Sequence, residues 1–176
     1  MGAPKSGTEL NSRAILKAAG ISYKDFSKVE YLSYAESVEL MKNRQLDVTL
    51  LSSGAGVAAL RDLATSQKVV FLTIPEEIVQ KIDDPAYQVG IIPANTYEGQ
   101  TSDVKTVSVQ NFLVTHAGVS EKTVYLMTKT MFENLDQMVA AHAAAKGISL
   151  ENAAKNPPAP LHPGAEKYYK EMGLIK

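Results

Sequence analysis

The chain has 176 residues, 45% of them hydrophobic and 21% charged, with a formal net charge of −1; that suffices for one compact domain with a real core or for two small lobes. Near-neutral charge gives no electrostatic reason to expect nucleic acid or an anionic membrane surface as a partner, and the absence of cysteine excludes disulfides and cysteine–zinc sites. No apolar run approaches the roughly 18 residues a membrane helix needs, and residues 2–13 hold no apolar block of the signal-peptide kind, so the chain alone is expected to be soluble with no export address of its own.

The chain opens on "GAPKSGTEL", a glycine- and hydroxyl-rich loop. "ELNSRAILKAAG" follows as a helix with Leu10, Ala14, Ile15 and Ala18 on one face and Gly20 as its stop. Residues 29–34, "VEYLSY", are rich in β-formers and read as a strand; 35–45 read as a short helix with Val38 and Met41 inward. "LDVTLLSS" (46–53) has the apolar content of a strand buried on both faces. "GAGVAALRDLATSQ" returns to helix through Val57, Leu60 and Ala64, and "KVVFLTI" (68–74) reads as a third buried strand.

Pro75 and "EEIVQKI" form a helix with proline in its first turn. Extended pieces are expected near 87–92 and 104–115, separated by the turn-rich loop "PANTYEGQTSD". From Ser120 the pattern is helical. Val124, Met127, Met131, Leu135 and Met138 make a stripe read as core packing, with a break at Asn134. A short helix, "SLENAAKN", a "PPAP" linker and a last helix from Pro163 to a stop at Gly173 complete the chain. Alternating strands and helices predict an α/β fold with a parallel or mixed sheet flanked by helices.

Three places carry candidate chemistry. Ser6-Gly7-Thr8-Glu9 fits a capping box, with Ser6 capping the backbone and Glu9 reaching back. The same stretch also supports an anion site, in which free helix N–H groups and the Ser6 and Thr8 hydroxyls hold a carboxylate while Gly7 allows close approach. It is not a phosphate-binding P-loop, because Lys5 precedes Ser6 where that motif needs Gly-Lys-Ser/Thr. Ser52, Ser53 and Gly54 stand at a strand end, where ligands gather in open α/β sheets, although a plain strand-to-helix turn reads the same way. Tyr97, in "PANTYEG", offers an aromatic face with a polar tip. His116, His142 and His162 are scattered, and Asp83-Asp84 and Glu76-Glu77 are ordinary solvated pairs. Neither a metal site nor a Ser–His–Asp arrangement assembles from them, so no cofactor, no metal and no catalysis are expected.

The segments "GAPKSGTELNSRAILKAAG", "QLDVTLLSSGAG", "IPANTYEGQ", "FENLDQMVAAHAAAKGISLENA" and "PLHPGAEKYYKEMG", in this order, resemble the C-terminal part of the TAXI-family solute receptors of TRAP transporters. The resemblance covers essentially the whole chain. It implies a periplasmic-binding-protein-like fold of type II, with residues 1–103 forming the second lobe and 104–176 a crossover strand and helices returning to a first lobe that is mostly missing. It also implies an extracytoplasmic (periplasmic) protein that traps a glutamate-like or other carboxylate solute between lobes by a hinge motion and delivers it to membrane permease subunits. Ser6, Gly7 and Thr8 match the family's second-lobe helix start, Ser52–Gly54 the adjoining loop, and Tyr97 the tyrosine of a Pro-Ala-x-Thr-Tyr loop.

Two departures stand out. Lys5 occupies a position where relatives usually have glycine, and Met1 stands where relatives have a strand leading into the loop. The expectation is a truncated gene product, a split half or a deliberately excised piece, marginally stable or oligomeric when alone, with a complementing N-terminal half or its own copies as partners. Two other classes remain: an effector-binding sensor domain of the same fold, and an enzyme domain holding a phosphate-bearing ligand at Ser6–Thr8.

Overall fold

The computed structural model describes residues 1–155, 157 and 159–176. These divide into two units, Met1–Gln110 and Asn111–Lys176. Asn156, the last residue of the expected "SLENAAKN" helix, and Pro158 of the "PPAP" stretch lie outside the described residues.

The first unit begins with α1 (Gly7–Ala18), whose start is fixed by Ser6: its side chain accepts from the Glu9 N–H at 3.2 Å. Only half of the expected capping box forms. Glu9 turns away from the Ser6 backbone and pairs with Arg13 one turn on, at 2.6 Å, while the Tyr23 hydroxyl donates to the same oxygen at 3.3 Å. The buried face of α1 is only partly the expected one, sharing Ile15 with it. Thr8, Ser12 and Ile15, at steps of four and three, are buried, and Leu10 is 57% exposed. A polar inward face survives because Ser12 donates its hydroxyl to the Thr8 carbonyl at 2.8 Å.

Residues 29–33 are extended but do not form a strand of a sheet; Met1 lies against them, donating to the Glu30 carbonyl at 2.6 Å and accepting from the Leu32 N–H at 3.2 Å. Tyr34 belongs instead to α2 (Tyr34–Lys42), because Ser33 and Glu36 complete a full capping box. Val38, as expected, is buried on the inward face of α2. Helix α3 (Ala58–Ser66) buries Leu63 and Ala64, and α4 (Glu76–Gln80) starts from Pro75 at the capping position rather than inside the first turn.

Strands β1 (Tyr87–Ile92) and β2 (Val104–Val109) pair antiparallel, from Tyr87 opposite Val109 to Ile92 opposite Val104. This two-stranded sheet replaces the expected parallel or mixed one. Segments 46–53 and 68–73 form no strand, and among the described residues no backbone hydrogen bond joins either to a neighbouring strand. Their apolar side chains are correspondingly open, with Val48, Val70 and Leu72 at 61%, 73% and 68% exposure, contrary to burial on both faces. The Ile74 N–H does reach the Lys105 carbonyl in β2, at 3.0 Å. The fold is thus α/β, a set of helices with a small sheet.

The second unit is helical. Helices α5 (Glu121–Glu133) and α6 (Leu135–Ala141) meet at the expected break, Asn134. A 3₁₀ turn, the short α7 (Leu150–Ala153) and α8 (Pro163–Glu171) follow. Its core is Phe132, Tyr168 and Tyr169, flanked by half-buried Met131 and Leu135. Of the expected apolar stripe, Val124 is buried but Met127 is 49% exposed, because α8 packs on the Val124–Tyr125–Phe132 side of α5. His162 caps α8 by accepting from the Gly164 N–H at 3.2 Å, and its other ring nitrogen lies 3.1 Å from the Val119 carbonyl, so that nitrogen carries the proton.

Candidate functional site

Three sequence-selected stretches of the first unit can now be placed. Ser6 caps α1, Gly7 is exposed and Thr8 is buried. Among the described residues, no acceptor inside the protein pairs with the N–H groups of Gly7 or Thr8, the first two of the helix. Those donors and the positive end of a 12-residue helix are what an anion needs. A β-carbon on Gly7 would meet nothing within 4 Å, so the approach to its backbone is open. Gly2 is the opposite case: a β-carbon there would stand 2.5 Å from Thr8 Cβ and 2.8 Å from Ser6 Oγ, so only glycine lets the entering chain lie across the helix start.

The Ser52–Gly54 loop is exposed and is tied to this helix by side chains that the sequence alone did not single out. The Tyr34 hydroxyl lies 2.9 Å from Thr8 Oγ1 and donates to the Ser52 carbonyl at 2.5 Å. A phenol has one proton, and a carbonyl can only accept, so Thr8 must be the donor in the Thr8–Tyr34 bond. The Thr8 hydroxyl is therefore consumed within the protein, and its remaining offer to a ligand is its backbone N–H. A second link runs from Tyr87 on β1, whose hydroxyl donates to Asn11 Oδ1 at 2.8 Å, through Asn11 Nδ2, which donates to Ser52 Oγ at 2.8 Å. Burial, with the charge of Asp84 adding to it, pushes the Tyr87 phenol above the ordinary tyrosine value, which keeps it a protonated donor.

Tyr97 does not present its ring to solvent. It is 5% exposed, stacks on Phe71 with ring centroids 4.8 Å apart, and accepts from the Gly56 N–H at 2.9 Å through its hydroxyl. The loop around it is held from within by Gln100, whose side-chain amide reaches the carbonyls of Ile92, Pro93 and Ser102 at 3.2, 3.0 and 2.9 Å. Tyr97 thus pins the chain just after Ser52–Gly54 and does so from behind. Lys5 is exposed and adopts φ 61°, the left-handed region that glycine occupies without cost.

Among the described residues, nothing else gathers comparable chemistry. An open concavity rimmed by Asp83, Asp84 and Pro85 shares only Tyr87 with this polar network. Among the described residues, no group of three or more His, Asp or Glu could hold a metal ion, and no helix is long and apolar enough to cross a membrane.

A family model settles what kind of chain carries this arrangement: the NMT1-like family matches residues 1–173. The chain belongs to the NMT1-like family. That family falls in the periplasmic-binding-protein-like group related to the TRAP/TAXI solute receptors, which makes the general function solute binding.

Proposed function

We propose that this NMT1-like chain is a solute receptor of the TAXI type, with the type II periplasmic-binding-protein topology, and that it serves a TRAP-type transporter. Its solute is a carboxylate, glutamate-like in the first instance, and it performs no catalysis. Its working place is extracytoplasmic, and its protein partners are the membrane permease subunits of the transporter. A complementing half or a second copy would supply the rest of the solute cage, and closure around the solute would follow a hinge motion.

The observation that carries this reading is the juxtaposition of two donor-bearing edges from distant parts of the sequence. The α1 start brings the unpaired N–H groups of Gly7 and Thr8, and the Ser52–Gly54 loop brings exposed hydroxyls; Tyr34 and Asn11 bond the two together. Donors without acceptors, at the positive end of a helix, favour an anionic oxygen ligand over a neutral or cationic one. Among the described residues, no hydroxyl in the network is paired with a base that would make it a nucleophile.

Calorimetric titration of the chain with L-glutamate tests the proposal. Weak saturable binding is expected, with affinity reduced about tenfold by Ser52→Ala, the loss of one hydrogen bond to a charged group. Heat that is absent, or equal for L-glutamate and a neutral sugar, would refute it.

A further inference from the structure

The polar network admits a proton count that assigns a direction to each of its hydrogen bonds. Tyr87 donates to Asn11 Oδ1, which fixes the amide so that Nδ2 faces Ser52. Asn11 Nδ2 has protons and no lone pair, so in this bond Ser52 Oγ can only accept. The proton of the Ser52 hydroxyl is then not required inside the network, and Ser52 is exposed. On the other branch, the protons of both Thr8 and Tyr34 are already committed, to Tyr34 and to the Ser52 carbonyl respectively. One hydroxyl of this cluster is therefore left with a proton to give outward, and its direction is dictated by a neighbour 41 positions away in sequence.

We propose that Asn11 is a positioning residue that fixes Ser52 as a hydrogen-bond donor toward the solute, making this wall selective for an acceptor such as a carboxylate. Tyr87 acts one step further back, by holding the Asn11 amide in the orientation that donates. The proposal rests on the solute-receptor reading for its ligand. Its donor assignment is a property of the protein itself.

The distinction between donor and acceptor has consequences for selectivity. With Asn11 in place, a solute group that must itself donate, such as an ammonium or amide nitrogen, is left with the one Ser52 lone pair that Asn11 does not use and leaves the Ser52 proton unpaired. A carboxylate oxygen meets an oriented donor that needs no rearrangement. Asn11→Asp reverses this, because a carboxylate at position 11 accepts from both Tyr87 and Ser52 and draws the Ser52 proton inward.

The experiment is a double-mutant cycle on the full chain, with L-glutamate as probe and calorimetry as readout. Asn11→Asp is expected to weaken L-glutamate binding about tenfold when Ser52 is present, and by a much smaller factor in the Ser52→Ala background. Simple repulsion between the introduced carboxylate and the solute would give the same factor in both backgrounds, and that result would overturn the proposal. So would unchanged affinity in Asn11→Asp, since it would mean that Ser52 already donates into position 11. A parent chain that does not bind L-glutamate overturns the receptor reading together with this ligand assignment. A ligand-free measurement separates the two cases. In ¹H–¹⁵N spectra, Ser52→Ala should move an Asn11 side-chain amide proton upfield, and Tyr87→Phe, which only loosens the amide, should move the same proton in the same direction by less. The converse pattern overturns the donor assignment whatever the solute proves to be.

Discussion

Lys5 holds a left-handed backbone conformation, φ 61°, at the turn that feeds the helix start. For a residue with a β-carbon that conformation costs on the order of 1 kcal/mol. Lys5→Gly should therefore stabilise the first unit by up to about 1 kcal/mol, partly offset by the greater freedom of glycine in the unfolded chain. Chemical denaturation checks this, and a lower midpoint in the variant would contradict it. The same scale shows what was readable in advance. Ser6 as a cap follows from local spacing, whereas Ser52–Gly54, read as the end of a buried strand, is an exposed loop. Tyr34, Asn11 and Tyr87 do not follow from local spacing, because their partners lie 26, 41 and 76 positions away and an isolated tyrosine or asparagine carries no local signal. Tyr97 was visible as a residue of interest, but its ring is covered by Phe71, which no short-range pattern announces.

At the level of elements, the helices were legible because their signals are local. Ser33 with Glu36, Ser120, His162 before Pro163, and the stops at Gly20 and Gly173 all lie within a turn of the boundary they set. Even so, β-forming residues at 29–34 masked the Ser33 capping box, which claims Tyr34 for α2. Strands need a second partner, and β propensity in 46–53 and 68–74 says nothing about whether one is present. The packing of α8 on α5 yields a sharper prediction. A β-carbon at Gly164 would collide with the Glu121 carbonyl and stand 2.6 Å from the Tyr125 nitrogen, both backbone atoms that cannot step aside. Gly164→Ala should cost about 1–3 kcal/mol by overpacking, read as a lower unfolding midpoint of the second unit; an unchanged midpoint would contradict it.

The same helices set a pH limit. Burial pushes the Tyr168 and Tyr169 phenols above the ordinary tyrosine value. The folded state then holds these protons more tightly than the unfolded one, so their contribution to stability is complete below about pH 10 and is lost as pH rises through the folded values. Unfolding of the second unit should become easier on that alkaline limb, and Tyr169→Phe should flatten its slope. Stability that rises above about pH 10 would count against this.

Across the whole molecule, the most consequential feature is apolar surface on segments outside the helices and the sheet. Val48, Val70, Leu72, Leu113 and Val114 are all more than half exposed, on segments whose β-forming residues suit them to strand pairing. Exposed apolar side chains on β-forming segments outside the sheet favour pairing with another chain. Sedimentation velocity should therefore show concentration-dependent association, and a single monomeric species at every concentration would contradict it. The solute wall does not use the exposed side chains of Val48, Val70, Leu72, Leu113 or Val114, since its donors are organised by α1, Tyr34, Asn11 and Tyr87 within the first unit.

That independence makes the central claim testable on the chain as it stands. The most direct measurement is an amide-resolved ¹H–¹⁵N titration with L-glutamate. A carboxylate held by this wall predicts saturable shifts at Gly7, Thr8, Ser52, Ser53 and Gly54, with no equivalent response to a neutral sugar. Shifts confined to other residues, or no saturable shift at these five, would contradict it.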